Sequence, residues 1–235
     1  MRAIVLDTET TGLDPLRGDR LVEIGCVELI NHMPTGQAFH RYINPERDMP
    51  QEAFAVHGLS SEFLADKPLF ADVAEEFLAF IGDEAPLIIH NASFDIGFIN
   101  AELGRLARPA IARERLVDTL LLARRKHPGV SNRLDDLCSR YAIDNSKRTK
   151  HGALLDAELL AEVYIDLIGA RQSSLILTET YQSDSNGETV DIGRRTREIP
   201  LTPRITDEDL AAHQSFVASL GDKAIWREFS ARQSG

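Results

Sequence analysis

The sequence predicts an α/β fold, a mixed five-stranded sheet with helices packed on it, followed by a separate C-terminal segment. Three observations carry that expectation. Two turn-linked strands and a third come before any helical pattern, and two further short strands alternate with helices after residue 86. After Ala170 the composition turns polar. The first strand, over 2–8, is read from Ala3-Ile4-Val5-Leu6, an unbroken apolar run suited to a central strand covered on both faces. Thr10-Thr11-Gly12-Leu13-Asp14-Pro15 ends it with turn chemistry. Strands over 20–31 and 37–43 follow, then helices over 51–56, 61–65 and 70–81. Pro86-Leu87-Ile88-Ile89 marks a strand over 86–90. Phe94, Phe98, Ile99, Leu103 and Leu106 then recur at helical spacing and predict a helix over 95–107. A last strand over 115–118 leads into helices over 119–126, 132–141 and 153–168. In the final helix Leu155, Leu159, Leu160, Val163, Tyr164 and Leu167 form one apolar face.

Composition narrows the class. With 235 residues, 43% of them apolar, the chain can bury a sizeable core. No apolar stretch reaches the roughly 18 residues a membrane span needs, and a strand already occupies the N-terminus, where a signal peptide would stand. Cys26 and Cys138 are isolated thiols, one in a strand and one on a helix. They suggest packing in a reducing compartment, hence the cytoplasm, rather than a disulfide framework or zinc site. The net charge of −11 argues against a protein that grips duplex nucleic acid with its own surface.

Chemistry concentrates in three short motifs: Asp7-Thr8-Glu9, His90-Asn91-Ala92-Ser93-Phe94-Asp95 and His151-Gly152-Ala153-Leu154-Leu155-Asp156. Asp7 and Glu9 point the same way from one strand face. They read equally as a solvated strand end or as two like charges neutralised by a hard cation. Asp95 lies beside the inward stripe of its helix, although a first-turn acid or, for Asn91, a cap would look the same. The third motif shifts the balance. Asp156 has Leu160 and Val163 at i+4 and i+7, so its carboxylate faces the core, where a lone charge costs several kcal/mol. His151 is about 140° around a helix from Asp156 and is better placed on the preceding loop, Lys147-Arg148-Thr149-Lys150. Imidazole is the side chain that titrates near neutrality, which suits a general base acting on water.

These residues resemble a known set. Asp-x-Glu, His-Asn-x-x-Phe-Asp and His-x-Ala-x-x-Asp, in this order, are similar to the exonuclease motifs of the DEDD superfamily, histidine branch. Leu21-Val22-Glu23-Ile24-Gly25 and Phe54-Ala55-Val56-His57-Gly58-Leu59 also resemble segments of the family of proofreading ε subunits of bacterial DNA polymerase III. The resemblance implies a ribonuclease H-like fold and 3′→5′ exonuclease activity on DNA, with nucleoside 5′-monophosphates as products. It implies that Asp7, Glu9 and Asp156 hold one Mg²⁺ or Mn²⁺, with Asp7 bridging to a second ion supported by Asp95. His151 would take the proton from water. Thr10, Thr11, His57, Asn91 and Phe94 would line the terminal-nucleotide pocket, with Phe94 as an apolar wall. Such an enzyme needs only a frayed or single-stranded 3′ end, and bound cations supply positive charge there, which reconciles the acidic chain with DNA. The loop cations Lys147, Arg148 and Lys150 could guide the strand.

The tail is where partners are expected. The nuclease domain is read as 1–171. Gln172-Ser173-Ser174-Leu175-Ile176-Leu177 resembles a short sliding-clamp-binding peptide through Gln172, Leu175 and Leu177, or equally a helix end with an apolar patch. Residues 178–203 read as flexible linker. In 204–235, Thr206 can cap a helix with Asp207, Glu208 and Asp209 in its first turn, and Gly221 can end it. Leu210, Phe216, Val217, Leu220, Trp226 and Phe229 give an apolar surface that about 30 residues cannot bury alone. By resemblance its partner is the polymerase III catalytic subunit; folding back on the nuclease domain is the alternative. A small third core subunit is compatible with this scheme. Two other functions fit parts of the pattern, an oligoribonuclease or RNA-trimming relative and a non-catalytic adaptor between polymerase and clamp.

Overall fold

The computed structural model describes residues 1–146, 148, 150–170, 182–183, 189–190 and 205–221. A five-stranded sheet is built from β1 (Arg2–Thr10), β2 (Leu21–Ile30), β3 (Met33–Tyr42), β4 (Leu87–Ile89) and β5 (Leu116–Asp118), in the order β3-β2-β1-β4-β5. The first three strands form an antiparallel meander, and β4 and β5 add in parallel on the other side of β1. The sheet is therefore mixed, as the strand spacing predicts. Parallel strands need crossovers, and α4 (Ala92–Arg105) connects β4 to β5.

The helices divide between the two faces, and β1 shows how. Ile4 and Leu6 join a cluster with Phe70, Phe77, Ile96, Phe98, Ile99 and Leu103, from α3 (Phe70–Ile81) and α4. Val5, between them, joins a second cluster with Ala123, Leu137, Ala157, Leu160 and Val163. That side is covered by α5 (Thr119–Lys126), α6 (Leu134–Tyr141) and α7 (Ala153–Leu167). Two short helices, α1 (Gln51–His57) and α2 (Ser61–Leu64), lie in the β3–α3 connection. By parity Asp7 and Glu9 face the α7 side and Thr8 the α4 side.

Helix α7 sits unusually close to the sheet. Ala153, Ala157 and Ala161, at i, i+4 and i+8, are all buried, so small side chains face the strands. Opposite them is Gly25, the β2 residue paired with Asp7. A Cβ on Gly25 would lie 2.3 Å from the Ala153 carbonyl carbon and 2.3 Å from the Leu154 nitrogen. Only glycine admits this approach, and it brings the start of α7 against the end of β1.

Several boundaries differ from the sequence expectation. β1 runs two residues beyond 8, because Thr8, Glu9 and Thr10 keep pairing with β2 through an irregularity between Glu9 and Thr10. Bends at Thr11–Leu13 follow it, as the turn chemistry predicts, and then a short 3₁₀ segment, Pro15–Arg17, capped by Asp14. β3 begins at Met33, and α4 begins at Ala92, three residues before the predicted start, which leaves Asp95 in its first turn. α6 begins at Leu134 rather than 132.

The chain divides into two units, Met1–Ser174 and Leu175–Gly235, with the boundary inside the predicted 172–177 peptide. Gln172, Leu175, Leu177, Trp226 and Phe229 lie outside the described residues. Within the stretch read as linker, Gln182–Ser183 (β6) pairs with Thr189–Val190 (β7). Helix α8 (Asp207–Ser219) starts as predicted. Thr206 accepts from Asp209 N, and the Asp209 carboxylate accepts in return from Thr206 N. Leu210, Phe216 and Leu220 are exposed on it, with Val217 half-buried. Among the described residues no helix is long and apolar enough to cross a membrane.

Candidate active site

The end of β1, the start of α4, helix α1, one side of α5, the start of α6 and the start of α7 surround one cavity of about 1110 Å³. Asp7, Glu9, Asp95, His151 and Asp156 all line it, as do Thr10, Thr11, His57, Asn91 and Phe94. All ten residues read from the three motifs and their surroundings thus meet in a single cleft.

The four acids arrive from three elements, Asp7 and Glu9 from β1, Asp95 from α4 and Asp156 from α7. Glu9 and Asp156 come together across the β1–α7 contact, and ligand atoms of Glu9, His151 and Asp156 all lie within 4.8 Å of one another. Asp95 approaches from the other sheet face and is held by Thr8, whose Oγ1 donates to Asp95 Oδ1 at 2.7 Å. The alternation that points Asp7 and Glu9 one way therefore points Thr8 at the fourth carboxylate. His151 precedes α7 on its loop, as expected, and stays exposed. Its N–H donates to Val56 O at 3.3 Å, and Lys150 Nζ donates to Ala55 O at 2.6 Å, which docks the loop on α1.

The electrostatics are those of a carboxylate cluster short of positive charge. Burial pushes Asp7 well above its ordinary value, and Asp95, Glu9 and Asp156 push it further. Burial, then Asp156, Glu23 and Asp95, raise Glu9 to about 8. Asp95 is pushed up to about 7 by burial, although the bond from Thr8 pulls the other way. Asp156 is the exception: burial raises it, but bonds from Arg148 and His151 outweigh burial and leave it below the carboxylate range. Four carboxylates on oxygen-rich walls, three of them resisting ionisation, fit the donor set of hard divalent cations, whose charge removes that resistance.

The pocket residues divide by what their polar atoms already do. Thr11 is fully buried and its Oγ1 accepts from Arg20 N at 3.0 Å; Thr10 Oγ1 donates to Gly12 O at 2.6 Å. Both hydroxyls are thus engaged in holding the β1 end. Asn91 occupies the position before α4 at φ 66 without a side-chain capping bond, so the cap reading fails. The first α4 amide, Ala92 N, is instead satisfied by Asp118 Oδ2 at 3.2 Å. Asn91 is left exposed at the cleft. Phe94 stacks at 5.1 Å on Phe98 and presents an apolar wall. His57 is buried, Nδ1 accepts from Leu59 N at 3.0 Å, and Nε2 has no hydrogen-bond partner among the described residues. A buried unpaired ring nitrogen lining a cleft suits contact with a ligand.

Sequence reasoning missed three contributors. Asp118 also accepts from Leu120 N and Leu121 N, so one carboxylate organises the starts of α4 and α5. Glu23, buried beside Glu9, is paired with His40 Nε2 at 2.6 Å. The third is Arg148, expected to guide the strand from a basic loop. Its side chain is only 6% exposed and forks onto Asp156, Nε to Oδ1 at 2.5 Å and Nη2 to Oδ2 at 2.7 Å. A guide for substrate must be accessible, and this guanidinium is spent inside the site. Lys147 lies outside the described residues, and Lys150 is bonded to α1. The DxE and HxAxxD patterns announce acids; nothing in local spacing announces that an arginine three residues before the histidine turns back on them.

Comparison with known proteins agrees with the geometry. Residues 4–164 match the family model described as Exonuclease. The chain is 49% identical over 223 residues to the DNA polymerase III subunit epsilon of Rickettsia felis, covering 94% of this chain and 97% of that one. It is 45% identical over 238 residues to the protein of the same name from Escherichia coli K12, covering 96% and 97%. Among solved structures, Exonuclease X in complex with 5′ overhanging duplex DNA aligns with TM-score 0.57 and 27% identity, over 72% of this chain and 92% of that one. The nuclease domain of 3′hExo, a DEDDh family member bound to rAMP, aligns with TM-score 0.59 and 16% identity over 72% and 92%, a likeness of fold.

Proposed function

This chain belongs to the exonuclease family and, within it, to the DNA polymerase III epsilon subunits, and on that premise we propose that it proofreads DNA synthesis by removing 3′-terminal nucleotides. It is a 3′→5′ exonuclease of ribonuclease H-like fold, dependent on divalent metal ions. The observation that carries this is the convergence of Asp7, Glu9, Asp95, His151 and Asp156 in one cleft, where burial, with neighbouring charge, holds Asp7, Glu9 and Asp95 above their ordinary values.

In detail, Asp7, Glu9 and Asp156 would hold one Mg²⁺ or Mn²⁺, and Asp7 with Asp95 would hold a second. Bound there, the ions would supply positive charge that favours ionisation of the attacking water and stabilises the negative charge on the leaving 3′ oxygen. His151, exposed at the mouth of the cleft, accepts the proton from water, and its loop mobility is limited by the Val56 and Lys150 bonds. Phe94 faces the terminal base, and His57 Nε2 offers the polar contact opposite. Little base reading is needed, because a mismatched end frays into the cleft at lower cost.

The domain plan extends this reading. Residues 1–171 form the nuclease, 172–177 contact a sliding clamp, 178–203 link, and 204–235 dock on the polymerase III catalytic subunit, with a small third subunit as a further partner. The exposed Leu210, Phe216 and Leu220 on a capped helix support helix-in-groove docking. A replication role places the protein in the cytoplasm.

The test is stepwise mononucleotide release from a 3′-mismatched primer–template with Mg²⁺, alongside His151→Ala and an EDTA control. Release by the wild type that fails in both controls is expected. A folded, metal-supplied wild type that releases nothing would leave the adaptor role, or an RNA substrate, which ribo-oligomers in the same assay separate.

A further inference from the structure

We infer that Arg148 is a built-in stand-in cation, which holds Asp156 and His151 in an inactive pairing until a divalent ion displaces it. The inference rests on the reading of Asp156 as a metal ligand. Three contacts of one guanidinium carry it. Nε and Nη2 take both oxygens of Asp156, at 2.5 and 2.7 Å, so the carboxylate that should bind an ion is already occupied in the geometry arginine favours. Nη2 also reaches His151 Nδ1 at 2.7 Å. The same ring nitrogen lies 3.3 Å from Asp156 Oδ2, so the imidazole is drawn into the Arg148–Asp156 pair. One arginine thus engages a ligand and the base together.

The third contact makes release feasible. Nη1 donates to Asp135 Oδ2 at 2.7 Å, and Asp135 is an exposed acid in the first turn of α6, outside the proposed ligand set. An arginine that leaves Asp156 keeps a carboxylate partner and is not stranded as a buried unpaired charge. Burial explains why the pairing forms. Arg148 is nearly enclosed beside Glu9, Asp156 and Asp7, and its pull lowers all three carboxylates while the bond to Asp156 raises its own value. The loop therefore supplies part of the charge that an ion later supplies in full. Arg148 is a positioning residue, acting through Asp156 and His151 rather than on the phosphate.

The experiment is Mn²⁺ binding to the full chain, stripped with EDTA and followed by electron paramagnetic resonance of free Mn²⁺. Wild type is compared with Arg148→Gln and Arg148→Lys, together with thermal melts of the metal-free and Mn²⁺-saturated forms. Displacement predicts that Arg148→Gln binds Mn²⁺ tighter, on the order of 10-fold or more, since a charge-assisted competitor is removed. Its metal-free form melts lower than wild type, and saturating Mn²⁺ raises its melting temperature by more. Lysine, a point charge that cannot fork, gives an intermediate affinity. Binding that is unchanged or weaker in Arg148→Gln, with wild type binding normally, overturns the displacement and leaves a structural arginine. Absence of Mn²⁺ binding in wild type overturns the metal reading beneath it. Should Arg148→Gln fail to fold, the lysine variant decides on the same measurement.

Discussion

Replacing Gly25 with alanine tests the geometry on which the whole site depends. The added methyl would stand 2.3 Å from both the Ala153 carbonyl carbon and the Leu154 nitrogen, and 2.4 Å from the Ala153 oxygen. Carbon atoms in ordinary contact are about 3.5 Å apart, so the start of α7 must retreat by about 1 Å. These are backbone atoms at the head of a helix, so no side-chain rotation relieves the clash. Overpacking of this kind costs roughly 1–3 kcal/mol of stability. The effect on turnover should be larger than on folding, because Asp156 lies one turn into α7 and His151 just before it, while Glu9 and Asp7 stay on β1. A misplacement of ~1 Å in a catalytic constellation lowers the rate by roughly 100-fold. The assay is single-turnover release of a mismatched 3′ nucleotide, paired with urea unfolding of the same preparation. A Gly25→Ala protein that is stably folded and turns over within a few-fold of wild type would refute the claim that helix approach sets the site.

Further expectations follow from the same contacts. Asp7→Ala should lower turnover on the order of 10³-fold or more, while the metal-free protein is no less stable, since like-charge repulsion is relieved; single-turnover rates and melts with EDTA check both. Thr8→Val should remove the 2.7 Å bond to Asp95, push that carboxylate higher still and weaken Mn²⁺ binding roughly 10-fold, read by titration. The metal-free protein should lose stability as pH rises. Glu9 and Asp95 sit above their unfolded values of 4.5 and 3.8, so the folded state holds protons that the unfolded chain releases first. Their contribution is complete below about pH 4 and is lost as pH passes through about 7 and 8. The gap between melting temperatures with Mg²⁺ and with EDTA should therefore widen from pH 5 to pH 8, and a constant gap would count against the carboxylate cluster.

Much was legible in the sequence because its signals are local. The unbroken apolar run Ala3–Leu6 announced a strand covered on both faces, and the two core clusters meet that description at Val5 and at Ile4 and Leu6. Helical spacing after Phe94 and after Ala153 placed two of the helices that build the site, and Asp156 was recognisable because a charge stood on an apolar face. The Thr206 cap was readable in the same way, since capping needs only neighbours three residues apart. Boundaries were read less well where pairing overrides local preference. Glu9 and Thr10 look like the edge of a turn, yet β2 supplies partners that keep them in the sheet.

By itself, then, the sequence determined the α/β class, the family and the residues with unusual charge, all of which are set by patterns within a few positions of each other. Tertiary structure decided which of these groups meet and what else meets them. Gly25 is unremarkable within its strand until α7 lies against it, and Thr8 is an ordinary strand residue until Asp95, 87 positions later, arrives on its face of the sheet. Arg148 reads as one more solvated cation in a basic loop until the folded chain surrounds it with Asp135 and Asp156. Coulombic and steric terms act through space, so a partner distant in sequence and close in the fold can reverse the role that a residue's neighbours along the chain would assign to it.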